Sequence, residues 1–204
     1  MYLARISLVF AYVALMQGCV SIPATPTVNQ GQAQSLYQQH LQDNAGIETF
    51  SLQARIGVQT EGKGFSGSLH WQHNTNQDEI ALFSPLGGQV ARMQKNADGV
   101  TLTDVNGHIQ SAVDAESLTQ NLLGWRLPLK GLADWSLGQP HSTPIQALSL
   151  DGHGLITSLQ QDGWLISYDR YSMRNGHLLP SKIVLHSENL TLKILIDEWD
   201  IPTH

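Results

Sequence analysis

The sequence predicts a mainly β fold with a few helices (α+β), in which about eleven antiparallel strands curl into a barrel or half-barrel. Three observations lead there. From Phe50 onward, apolar and polar residues alternate at period two through most of the chain. Turn pairs such as Asn106-Gly107, Asp151-Gly152, Asp162-Gly163 and Asn175-Gly176 separate many of these runs. The alternation yields to helical spacing in three places. Composition agrees: 41 % of the 204 residues are hydrophobic, enough for a core, and only 14 % are charged, which excludes disorder driven by charge. The length suits one domain better than two.

The chain begins with a positive residue, Arg5, then runs from Ile6 to Met16 without a charge and reaches Gln17-Gly18-Cys19. A positive start, an apolar run and a small residue before the cut make a secretory signal. The run is shorter than the roughly twenty residues that a bilayer-spanning helix needs. Leu15-Met16-Gln17-Gly18-Cys19 resembles a bacterial lipobox. Residues 1–18 are therefore expected to be a lipoprotein signal peptide. Cys19, the one cysteine, is the expected lipid attachment site, carrying a thioether to diacylglycerol and an acylated α-amine. At about 0.8 kcal/mol per buried CH₂, two or three acyl chains hold a protein on a membrane where one does not. In the sorting rule of Gram-negative lipoproteins an Asp after the cysteine retains the protein in the inner membrane. Val20 thus implies, by resemblance, the outer membrane. Residues 19–30, uncharged and rich in Pro and Thr, read as a lipid-anchored tether, and 31–204 as a single domain.

Ala33, Leu36, Tyr37, His40 and Leu41 fall at helical spacing and predict an amphipathic helix ending near Asn44 or Gly46, with His40 a core or boundary histidine rather than a ligand. Phe50, Leu52, Ala54, Ile56 and Val58 mark the first strand. Glu61-Gly62-Lys63-Gly64 is a hairpin turn, and Phe65, Gly67, Leu69 and Trp71 mark the return. After a polar turn over 73–78, strands are expected at 79–83, 89–95, 100–105 and 108–113. Between the first two of these, Ser84-Pro85-Leu86-Gly87-Gly88 forms a turn with Leu86 at its tip. One exposed leucine is ordinary, and by composition alone simple packing accounts for it. Asp114 caps a helix through Leu118, Leu122 and Leu123 that Gly124 stops. Leu132, Trp135 and Leu137 suggest another, closed by Gly138 and Pro140. Strands resume at 145–150, 155–161, 164–171, 180–187 and 190–199. In the last, Leu192, Ile194 and Ile196 face one side while Leu195 and Trp199 face the other. Strands apolar on both faces need cover on both, or line a cavity. A curled sheet under a three-helix lid offers an apolar cavity, and a filled core is the alternative that periodicity leaves open.

Little points to catalysis. A net charge of −6 excludes a nucleic-acid binder that relies on a basic face. A single cysteine excludes an internal disulfide framework, a CxxC pair and a cysteine zinc site. There is no HExxH, Walker-type phosphate loop, GxSxG or EF-hand loop. Gly64-Phe65-Ser66-Gly67 approaches a nucleophile elbow but sits between hairpin and strand. His70 and His73 are three apart on a strand, which aims them at opposite faces. Asp197 and Glu198 read as a solvated strand edge. No cofactor and no metal site are expected, and no enzyme activity.

A longer set of segments resembles the LolB family of outer-membrane lipoprotein receptors across roughly residues 47–199. They include Phe50-Ser-Leu-Gln-Ala-Arg-Ile-Gly57, Gly64-Phe-Ser-Gly-Ser-Leu-His-Trp71, Pro85-Leu86-Gly87, Leu123-Gly-Trp125, Trp135-Ser-Leu-Gly138, Gly163-Trp-Leu-Ile-Ser-Tyr168 and Ile194-Leu-Ile-Asp-Glu-Trp199. The resemblance implies an incomplete eleven-stranded barrel with a helical lid. It implies a carrier that accepts lipidated cargo proteins from a LolA-type periplasmic carrier, shelters their acyl chains in an apolar cavity and releases them into the outer membrane. It also implies that Pro85, Leu86 and Gly87 form a membrane insertion loop, with Leu86 meeting outer-membrane lipid. A monomer is expected. Two other readings stay in competition: a lipid-anchored β-barrel that binds a small apolar ligand, and an envelope hydrolase built on Ser66 with a histidine.

Overall fold

The structure, a computed structural model, describes residues 30–202. The expected leader, Cys19 and the tether through residue 29 lie outside the described residues. Eleven strands form one antiparallel sheet: β1 (Thr49–Thr60), β2 (Gly64–Asn74), β3 (Gln77–Phe83), β4 (Gln89–Asn96), β5 (Gly99–Asp104), β6 (Ile109–Ala112), β7 (Ile145–Leu150), β8 (Ile156–Gln161), β9 (Trp164–Arg174), β10 (His177–Ser187) and β11 (Leu190–Asp200). Helix α1 (Gln30–Asn44) precedes the sheet, and α2 (Ala115–Leu123) and α3 (Leu129–Ser136) lie between β6 and β7 in the chain. The strand order is β6-β5-β4-β3-β2-β1-β11-β10-β9-β8-β7. Two meanders are thus joined by the pairing of the first strand with the last. The sheet stays open between β6 and β7, where the chain departs to make α2 and α3.

The turn chemistry acts as expected. Asp162-Gly163 and Asn175-Gly176 both hold positive φ at the two central positions of their hairpins, the twist that matches the flanking strands. Antiparallel pairing sorts the turns onto two ends. One end carries the β1–β2, β3–β4, β5–β6, β8–β9 and β10–β11 turns, and the other carries β2–β3, β4–β5, β7–β8 and β9–β10. Helix α1 packs across this second end. Gly154, in the β7–β8 turn, meets Leu36 and Tyr37 so closely that a Cβ would stand 2.5 Å from the Tyr37 nitrogen. At the other end of the helix, Asn44 Oδ1 lies 3.0 Å from His177 Nδ1. His40, as read from its stripe, is buried, with its ring edge-on to Tyr171.

The inward residues of β1, Phe50 to Val58, are buried at every second position. Strand β11 departs from simple alternation. Leu192, Ile194 and Ile196 point inward as expected, but Trp199 does too, at 7 % exposure. The cause is a bulge: Gln53 pairs with Glu198 and Ala54 with Ile196, so Asp197 is an extra residue that reverses the phase beyond it. Trp199 then packs edge-on against Phe50, with ring centroids 5.2 Å apart.

Asp78, expected in a polar turn, belongs instead to β3 and is 2 % exposed. Trp71 Nε1 donates to its carboxylate at 2.9 Å, His73 Nδ1 lies 2.6 Å away and Lys95 Nζ 3.2 Å. Burial alone would push the carboxyl up. The hydrogen bonds from His73 and Trp71 and the charges of His73 and Lys95 outweigh it and hold the group below its ordinary value. A depressed folded-state value stabilises the protein above the unfolded value near 3.8, and the contribution is lost as pH falls through the lower folded value. Asp78→Asn is therefore expected to lower stability at neutral pH by about 2–4 kcal/mol and to flatten the loss of stability below pH ~4. Urea midpoints between pH 3 and 7 check both; parallel pH curves for the two proteins would contradict the assignment.

Candidate functional site

The lid is assembled from local rules. Asp114 caps α2 by accepting from the Ser117 backbone N–H at 2.7 Å, and Gly124 ends the helix at φ 80°. Thr119, fully buried, donates to the Ala115 carbonyl at 2.8 Å and accepts from the Leu127 N–H at 2.9 Å. That exchange ties the segment after α2 back onto the helix. Leu127, Leu129, Leu132 and Trp135 are then fully buried in one cluster with inward residues of the sheet such as Ile80, Leu102, Ile166 and Ile183. The space expected to be an apolar cavity is occupied by the lid's own side chains. The half-barrel is filled and covered in this structure.

Clefts lie at the rims. One of about 510 Å³ opens where the β4–β5 turn meets the starts of α2 and α3, over Val100, Ala115 and Leu129 with Lys95 and Lys130 beside them. Another of about 790 Å³ sits among Glu61, Glu116, Arg126, Asp162 and Glu188. The first has the apolar floor; the second is lined by charges.

One side chain fastens the lid to the sheet. Gln161, at the end of β8 and fully buried, accepts from Trp135 Nε1 and from the His141 N–H, both at 2.9 Å. Its amide donates to the His141 and Thr143 carbonyls at 2.8 and 2.7 Å. All of its ordinary hydrogen-bonding capacity is used. Asp134 Oδ2 and His141 Nδ1 add a 2.5 Å contact beside it. Gly131 lies under the Trp135 ring, where a Cβ would come within 2.5 Å of Cζ2, so only glycine lets the indole lie flat against its own helix. Sequence reasoning missed Gln161 because a glutamine at a strand end resembles any surface glutamine. Beneath the lid, the Tyr168 hydroxyl is buried without a hydrogen-bond partner among the described residues, and burial pushes its pKa well up.

The loop between β3 and β4 is built to present one residue. Gly87 N–H donates to the Ser84 carbonyl at 2.9 Å and Ser84 N–H to the Gly88 carbonyl at 2.8 Å. Pro85 supplies the fixed φ of the turn and Gly87 the left-handed conformation at φ 84°. Leu86 between them is 98 % exposed, so the packing that composition allowed is absent. Among the described residues no helix is long and apolar enough to cross a membrane.

The residues weighed for chemistry are not brought together. Ser66 is exposed on β2 opposite Gly57. His70 packs on Phe83, with ring centroids 4.7 Å apart, while His73 is held by Asp78. Arg55 grips Asp197 at 2.8 and 2.9 Å, and Gln53 donates to Glu198 at 3.2 Å, on an exposed face. Cys19 lies outside the described residues.

With the geometry in hand, comparison with known proteins is specific. Residues 48–199 match the family described as outer membrane lipoprotein LolB. An outer-membrane lipoprotein LolB of Pseudomonas fluorescens is 33 % identical over 193 residues, 94 % of each chain. One of Nitrosomonas europaea is 34 % identical over 197 residues, 95 % of this chain and 91 % of that one. Two solved structures share the fold at 8 % identity. A DUF1329 family protein from Desulfovibrio piger gives a TM-score of 0.55 over 87 % of this chain and 95 % of its own. A LolA superfamily protein from Nitrosomonas europaea gives 0.50 over 85 % and 94 %.

Gln161→Leu keeps the volume but strands Trp135 Nε1, the His141 N–H and two carbonyls. It is expected to lower the unfolding free energy by about 2–4 kcal/mol and to speed amide exchange in α3 well before the sheet exchanges. Hydrogen exchange followed by mass spectrometry reads this, and α3 exchange unchanged from the parent would remove Gln161 as the fastening.

Proposed function

The chain belongs to the LolB family, and from that premise we propose that it is an outer-membrane lipoprotein that receives lipidated proteins, shelters their acyl chains and passes them to the bilayer. The reading gives residues 1–18 to the signal peptide and the lipid to Cys19, which fixes the protein to the periplasmic face of the outer membrane. It holds no catalytic step, in keeping with a family of lipoproteins. The observation that carries it is the construction of the cover: an apolar concave sheet closed by helices spliced in at its open edge. A closed barrel has to break strand pairs to admit a chain, whereas this one has only to shift α2 and α3. Leu127, Leu129, Leu132 and Trp135 occupy in the closed state the place that acyl chains take in the loaded one.

Exchange of like for like is what makes transfer feasible without ATP. An acyl chain of about sixteen carbons in water is disfavoured by roughly 12 kcal/mol, at 0.8 per CH₂. Between two sheltered sites that cost does not arise. Cargo moves from a LolA-type carrier to this protein and on to the bilayer if each successive site binds it more tightly. Lid residues that pack well against the sheet keep the affinity of the second site moderate, because they must be displaced first. Leu86 meets the lipid at the moment of release.

Leu86→Glu is expected to leave the circular dichroism and the acceptance of labelled lipoprotein from a LolA-type carrier unchanged, while delivery to liposomes falls at least about tenfold. Delivery at the parent rate would refute the loop's role. Cys19→Ala, made without the leader, is expected to accept cargo in solution but to lose its membrane address on fractionation; failure to accept cargo would count against the cavity reading.

A further inference from the structure

We propose that the β5–β6 hairpin joins the Leu86 loop as a second prong against the bilayer, so that the protein docks on one half of one end of its sheet. This deepens the reading of Leu86 and rests on it, but the two fail separately. The register places both turns at the same end. Phe83 pairs with Gln89 and Ala91 with Asp104, so the two hairpins stand side by side, two strand spacings or about 10 Å apart. At the tip of the second, Val105 is 67 % exposed, and Ile109, at the start of β6, is 69 % exposed. Apolar residues this exposed on two neighbouring tips form a site for contact, not a scatter.

Charge identifies the occupant as lipid. The exposed run from Pro85 to Gln89 holds no charged side chain, and the run from Val105 to Gln110 holds only His108 as a titratable group. The one carboxylate nearby, Asp104, is turned to its own hairpin: it accepts from the Asn106 and His108 N–H groups at 2.8 and 3.0 Å and faces His108 Nδ1 at 3.0 Å. The other turns at this end carry exposed Glu61, Asp162 and Glu188 against one exposed lysine, Lys63, with Arg126 of the α2–α3 link beside them, so that half stays net acidic. A surface of anionic and zwitterionic headgroups repels that half and admits the other. The protein then leans onto its β3–β6 side, which brings the open edge at β6, and the α2 helix packed on it, next to the membrane. Val113 is as exposed as Leu86 but stands at the opposite end beside Asp114 and is no part of this contact.

The chain from residue 19 onward with Cys19→Ala has no cysteine, so single labels can be placed at will. With vesicles of phosphatidylethanolamine and phosphatidylglycerol at three to one, an environment-sensitive dye at Val105→Cys or Ile109→Cys is expected to shift to the blue, as at Leu86→Cys. Dye at Asp162→Cys or Glu188→Cys is expected to stay unshifted. Val105→Glu is expected to weaken vesicle binding at least about fivefold, and with Leu86→Glu more than either alone. If Val105→Glu and Ile109→Glu bind vesicles like the parent while Leu86→Glu does not, the second prong is overturned and the loop stands. If none of the three weakens binding, both readings fall. A blue shift at Val105 that needs the carrier, or that grows with protein concentration without vesicles, would make the patch a protein interface and overturn the proposal.

Discussion

An apolar sheet face has to be covered, and every other feature of this molecule follows from how that is done. Eleven strands pair in sequence around β1 and β11 but do not pair β6 with β7. The inward residues therefore lack the far wall that a complete barrel would give them. The chain supplies it from the same break, with α2 and α3. Hydrophobic burial is non-directional, so these helices fill the space without strand pairs to the sheet. Cover and wall thus differ in stability by design: one is laced by a hydrogen-bond ladder, the other rests on packing and a few side-chain bonds.

The few bonds are well placed. Gln161 satisfies four groups at once, Thr119 of α2 accepts from the Leu127 N–H of the α2–α3 link, and Asn44 of α1 donates to the Leu137 carbonyl. Around them the packing is apolar. The Tyr168 hydroxyl beneath the lid, without a partner among the described residues, marks a region where the packing is not polar-perfect. For the proposed exchange of acyl chains, a cover fully satisfied everywhere would be a worse starting point, since any ligand would have to displace it.

Much of this was legible in the chain. Alternation gave the eleven strands to within a few residues, because one face of each is buried and the period is fixed by the backbone. Glycine and asparagine pairs gave the hairpins because their positive φ values admit few other residues. Pro85 and Gly87 placed Leu86 at a tip, although only the fold around it decides whether such a tip packs or stands clear. Three things were not legible, each for a nonlocal reason. The inward turn of Trp199 depends on a bulge set by the pairing partner, β1. Asp78 is buried because Trp71, His73 and Lys95 converge on it from two other strands. Gln161 matters because Trp135 reaches it from twenty-six positions away. The resemblance to a family carried the functional reading, and no single residue would have done so.

Helix α1 crosses the end of the sheet opposite the Leu86 loop, and that separation has a mechanical meaning. From Cys19 to Gln30 the chain spans at most about 38 Å fully drawn out, while β1 runs about 40 Å along its axis. A leash no longer than the body it holds cannot let that body stand upright on its far end with slack to spare. If Cys19 carries the lipid and Leu86 meets the bilayer, as proposed, a molecule fastened at the stern and probing with the bow must recline along the membrane. On that reading the lipid decides which membrane it patrols, and the bow decides when it makes landfall.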